Sequence, residues 1–146
     1  MIIEFSRESL CAGDDIWAGI YKIDIPETTS LCDLIQILCK GGYGNSWPIP
    51  TRYHNSYWMI QSNIGSLAYL IYEFDTTEHI EFPNYSPDKT IAELNIHAVY
   101  ACRPLPYWPQ ISRKNYHEVV SKLKWASQQL KPFEFPEKQN MTRLPQ

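Results

Sequence analysis

The chain is short of the motifs that announce chemistry. It has six glycines in 146 residues and no phosphate-cradling glycine loop, no G-x-S-x-G elbow and no H-E-x-x-H helix. Its four cysteines (Cys11, Cys32, Cys39 and Cys102) stand at gaps of 21, 7 and 63, with no C-x-x-C pair, which fits neither zinc nor haem spacing. No apolar run approaches the roughly 20 residues of a membrane span. Residues 1–8 carry charges where a secretory leader needs an apolar stretch. These absences imply free, structural thiols in a reducing cytosol, with no cofactor, no metal and no membrane.

Basic residues are also scarce, but only in one part. Residues 1–100 hold five Lys and Arg against thirteen Asp and Glu, a balance of −8. Residues 101–146 hold eight against three, a balance of +5. An acidic body steers cationic partners and repels nucleic acid. Arg113, Lys114, Lys122, Lys124 and Lys131 fit the solvated side of a helix better than a nucleic-acid surface.

What is present suits a single globular domain over residues 1–146. Hydrophobic residues make up 44% and charged residues 20%, with ten Tyr and five Trp. Residues 2–5 and 20–25 read as strands, the second with Tyr21, Ile23 and Ile25 on one face. Ser30 with Asp33 has the form of a helix cap, and Leu31, Leu34, Ile35 and Leu38 follow at helical spacing until Gly41-Gly42. Residues 42–55 read as a loop. Residues 57–62 and 66–74 read as strands joined near Asn63-Ile64-Gly65, the second apolar on both faces and therefore central. Residues 78–82 alternate, and Leu94, Ile96, Ala98 and Tyr100 predict one long final strand. Pro104, Pro106 and Pro109 force a loop. Ser112 is placed to cap a helix over 112–131 with Tyr116, Val119, Val120, Leu123 and Leu130 as its stripe. Residues 133–146 read as a loose tail. The order β-β-α-β-β-β-β-α predicts an α+β domain, a mainly antiparallel sheet with helices packed on it.

Catalytic arrangements are thin. His54 and His79 sit in or beside turns. His97 falls in the last predicted strand, opposite Leu94 and Ile96, and His117 lies on the last helix. A small enzyme would use His97 or His117 with Cys102, or a metal at Asp14-Asp15, which lacks an evident third ligand. A general protein-binding adaptor is the third reading. The simplest is a binding protein without catalytic residues.

The run Phe5-Ser6-Arg7-Glu8-Ser9-Leu10-Cys11-Ala12-Gly13-Asp14-Asp15 resembles the N-terminal signature, F-S-R-x-S followed by G-D-D, of bacterial immunity proteins from contact-dependent growth inhibition and related polymorphic-toxin systems. The following strand and Leu-rich helix keep that family's order. Trp58-Met59-Ile60, residues 66–71 and residues 94–100 resemble its central hairpin and final strand. The loop 42–55, the segment 104–109 and the tail after Pro132 depart from it. The resemblance implies a cytoplasmic antitoxin that neutralises a cognate toxin C-terminal domain by binding it. A cationic nuclease would match the acidic body. Read on its own, the motif is a structural knot, with Arg7 pairing Asp14 or Asp15 and the serines bonding a turn.

The expected contact surface combines charge and aromatics. Asp14, Asp15, Glu73, Asp75, Glu78 and Glu81 form a negative patch if the central strands and their turns lie together. Trp47, Tyr53 and Trp108 are the aromatic anchors, with a core role for Trp47 as the alternative.

Overall fold

The computed structural model describes residues 1–8, 20–41, 49, 56–72, 78–105 and 114–135. They form nine elements: β1 (Ile2–Arg7), β2 (Tyr21–Asp24), α1 (Leu31–Lys40), β3 (Ser56–Ser62), β4 (Gly65–Tyr72), β5 (Glu78–Glu81), α2 (Ile91–Leu94), β6 (Ala98–Cys102) and α3 (Tyr116–Gln129). The class is α+β, as the sequence predicts. The six strands make one sheet in the order β2-β1-β6-β3-β4-β5. All neighbours are antiparallel except β1 and β6, which pair in parallel with Phe5 opposite Val99. The parallel pair arises because β6 fills the gap between two antiparallel ribbons. Running opposite to β3 commits it to run along β1.

Helices lie on both faces of the sheet. Leu31, Leu34, Ile35 and Leu38 of α1 are all at most 1% exposed and pack with Ile3, Phe5, Ile23, Trp58 and Leu70. Spacing of i, i+3, i+4 and i+7 produces this face. The Ser30 hydroxyl accepts the Asp33 N–H at 3.1 Å, and Gly41 ends the helix at φ 68°, where a Cβ is disfavoured. On the other face, Val119, Leu123 and Ala126 of α3 pack on Tyr57, Met59, Tyr69 and Ile71. Every β4 residue after Gly65 is buried, so the strand is covered on both sides as its sequence implies.

Several expectations need correction. Leu94 does not begin a long final strand. Thr90 and Glu93 form a reciprocal capping box, and Asn95 turns left-handed at φ 57°, so a single helical turn ends where alternation suggested strand. Leu94 and Ile96 reach the core from that turn, and β6 begins only at Ala98. The last helix starts at Tyr116, after Asn115 rather than a Ser112 cap, and Ser112 lies outside the described residues. Leu130 follows the helix in extended backbone and is 42% exposed, while Ala126 takes its place in the stripe. The tail is tied down as far as residue 135. Phe133 donates its N–H to Ser62 O at 2.8 Å and stacks on Tyr100 at 4.8 Å, and Phe135 meets Phe133 edge-on.

Asn63, in the two-residue turn between β3 and β4, is the main splice between hairpin and sheet. Its side chain donates to Asn95 O at 2.8 Å and accepts from the N–H groups of His97 and Ala98 at 2.9 and 3.2 Å. An amide side chain bonding three backbone groups fixes the entry to β6.

Candidate functional site: one edge of the sheet

Strand register gathers one set of chain ends. Phe5 faces Tyr21, Arg7 faces Ala101, Met59 faces Cys102, Ser56 faces Tyr72 and Tyr72 faces Glu78. The ends of β1, β4 and β6 and the starts of β2, β3 and β5 therefore share one edge. The opposite edge holds the β3–β4 turn, Met1 and the start of β6.

The predicted contact residues divide accordingly. Asp14 and Asp15 lie in residues 9–19, Trp47 and Tyr53 in residues 42–48 and 50–55, Glu73 and Asp75 in residues 73–77, and Trp108 in residues 106–113, all outside the described residues. Their described neighbours are informative. Glu8 and Ile20, the residues on either side of 9–19, are both at this edge, as are Tyr72 and Glu78 around 73–77. Ser56, which follows 50–55, and Leu105, which precedes 106–113, also belong to it. Ile49, two positions from Trp47, is buried and donates its N–H to Leu38 O at 3.1 Å. Glu81 stands farther down, opposite Tyr69, where it is half-buried and accepts the Tyr116 hydroxyl.

Sequence reasoning missed the charged cluster at the edge itself. Arg103 places its Nε 3.4 Å from Glu8 Oε2 and its guanidinium carbon 5.2 Å from the centre of the buried Trp58 ring. Arg7 is 7% exposed and donates from Nη1 to Glu8 O at 3.3 Å, while the Glu8 N–H donates to Ala101 O at 2.7 Å. Tyr57 donates to Leu105 O at 3.0 Å. Buried guanidiniums need anions and acceptors around them, and a stacked aromatic lowers the cost further. The legible signal was Arg103 immediately after an alternating strand, with Arg7 and Glu8 adjacent at the end of the first strand.

The electrostatics of Cys102 oppose a nucleophilic role for that thiol. Burial pushes the Cys102 thiol up to about 12, and the nearby Glu8 carboxylate adds to the effect. The thiolate is the nucleophile, so this cysteine stays inert near neutral pH. His97 and His117 are exposed, and His97 uses its backbone N–H, bonded to Asn63. No group of three or more metal-ligating side chains occurs among the described residues. No helix among the described residues is long and apolar enough to cross a membrane. No family model, curated protein or solved structure matches the chain.

Proposed function

We propose that this chain is a non-enzymatic immunity protein that binds a cognate toxin C-terminal domain in the cytoplasm, with the segments along one sheet edge as its contact surface. The observation that carries the reading is that edge. Glu78 lies on it, and the described residues on both sides of 9–19 (Asp14, Asp15) and of 73–77 (Glu73, Asp75) lie at it. The segments of Tyr53 and Trp108 each have one described neighbour there, Ser56 and Leu105. Binding residues concentrate on loops held by a rigid scaffold. The resemblance of residues 5–15 to the immunity signature names the partner class, and a cationic nuclease suits the acidic body. The resting thiol of Cys102 weighs against the enzyme alternative.

Co-expression with the C-terminal domain of whatever protein is encoded directly upstream tests it. Growth should be restored by the wild-type chain, and by His97→Ala, His117→Ala and Cys102→Ala within a few-fold of it. Asp75→Lys with Glu78→Lys should lower the association rate about ten-fold at low salt and flatten its salt dependence. A Trp108→Ala change should speed dissociation. No rescue by the wild-type chain, or loss of rescue in a well-folded Cys102→Ala variant, would defeat the proposal.

A further inference from the structure

The opposite end of the molecule holds a cleft that the immunity reading does not use. Its volume is about 510 Å³, and it opens between the β3–β4 turn, the Pro83-Asn84 turn and the last turn of α3. That is within the range of small-molecule sites, roughly 300–1,000 Å³.

Its floor is polar and buried. Gln61 and Ser66 line it at 3% and 4% exposure. Gln61 Nε2 donates to Lys131 O at 2.8 Å, which turns Oε1 toward the Ser66 hydroxyl donating at 2.9 Å. One wall is a hydroxyl relay. Ser127 spends its single hydrogen on Lys124 O at 2.8 Å, so the 2.9 Å contact with Tyr69 must be donated by Tyr69. Tyr69 and Gln61, both almost fully buried, and the exposed Gln128 line the cleft, and a phenol oxygen and two amides have more donor and acceptor sites than the bonds named above use.

Charge limits what fits. Lys124 is the one charged side chain among the described residues of the lining, and it disfavours a cation. The cleft lies beside the C-terminal end of α3, the negative end of the helix dipole, which disfavours an anion. Pro83, Leu130 and Pro132 supply an apolar ledge. We infer that this cleft is a binding site for a neutral, hydroxyl-rich ligand the size of one sugar or cyclitol ring, separate from the toxin-contact edge.

Four rings of similar size test this: D-glucose and myo-inositol as neutral probes, glucuronate and glucosamine as charged ones. The side-chain amide signals of Gln61, Asn84 and Gln128 report binding by NMR at about pH 6, where the amine is protonated. At least one neutral ring should saturate in the millimolar range, with both charged rings about ten-fold weaker or more. Lys124→Ala should bring glucosamine within about three-fold of glucose, and Gln128→Ala should weaken the neutral ring by a similar factor without lowering Tm. Both positions are exposed, so folding is not at stake. No saturation by either neutral ring at about 100 mM, or equal binding of a charged ring, overturns the inference. Toxin rescue should be unchanged in both variants, so failure of either idea leaves the other standing.

Discussion

The two faces of the sheet are held by different means. Ten residues of α1 place four side chains, each at most 1% exposed, in a mainly aliphatic cluster. Fourteen residues of α3 bury only three, one of them an alanine. The second face makes up part of the difference with hydroxyls, through Tyr69 to Ser127, Tyr116 to Glu81 and Tyr57 to Leu105 O. A net hydrogen bond contributes about 1 kcal/mol, whereas burying a leucine contributes roughly 1.5–3 kcal/mol. The α1 face should therefore carry most of the stability, and the α3 face should open first.

Matched leucine truncations test that asymmetry most strongly. Leu34→Ala should cost about 3–5 kcal/mol, and Leu123→Ala about 2–3 kcal/mol, because a helix with few apolar anchors can settle into the space left behind. Urea unfolding of both variants measures this directly. Amide exchange in α3 should also be faster than in α1. A Leu123→Ala cost equal to or above that of Leu34→Ala would erase the distinction between the faces.

The same contrast explains what was readable in advance. The α1 face was legible because apolar periodicity, Ser30 and Gly41 agree over one local stretch. The β4 run was legible for a similar reason, since a strand apolar on both sides has to be interior. The α3 face was less legible because its partners are remote. Leu130 matches the helical period but falls past the end of the helix, and nothing near Phe133 in sequence points to Tyr100. The parallel β1–β6 pair joins residues more than ninety positions apart. At the candidate site, the acidic and aromatic residues were named from chemistry alone. That the described residues flanking 9–19 and 73–77 share one edge emerges only from strand register, and the Glu8–Arg103–Trp58 cluster from tertiary packing.

An intermediate effect is expected where a local signal prevails over a longer pattern. Alternation from Leu94 to Tyr100 argued for strand, but the four residues Thr90, Ile91, Ala92 and Glu93 hold a complete capping box. Thr90→Ala removes the hydroxyl that receives the Glu93 N–H at 3.1 Å and should cost about 1–2 kcal/mol. Asn95 lies just downstream and is bonded to Asn63, so the backbone signals of His97 and Ala98 should shift as well. If those signals stay fixed, α2 does not position the start of β6.

The smallest expected effect at neutral pH becomes the sharpest contrast in alkali. Tyr57 and Tyr69 both belong to the α3-face cluster, and burial raises both phenols, Tyr57 from 10.0 to about 12. Arg103 pulls Tyr57 the other way, but burial wins. A group whose folded pKa is raised favours the folded state fully below its unfolded value, and that support is lost as pH climbs toward the folded value. For Tyr57 the window runs from 10.0 to about 12. Tyr57→Phe removes one hydrogen bond to Leu105 O and should cost about 0.5–1.5 kcal/mol at neutral pH. The variant should then lose less stability than the wild type between about pH 9 and pH 11, because one ionisable phenol has gone from the face. Urea midpoints at the two pH values, with amide exchange in α3 followed alongside, provide the measurement. Alkali should loosen α3 before α1 in the wild type, and the substitution should narrow that gap. If both helices loosen together, or Tyr57→Phe leaves the alkaline loss unchanged, ionisation of Tyr57 does not control the opening of that face.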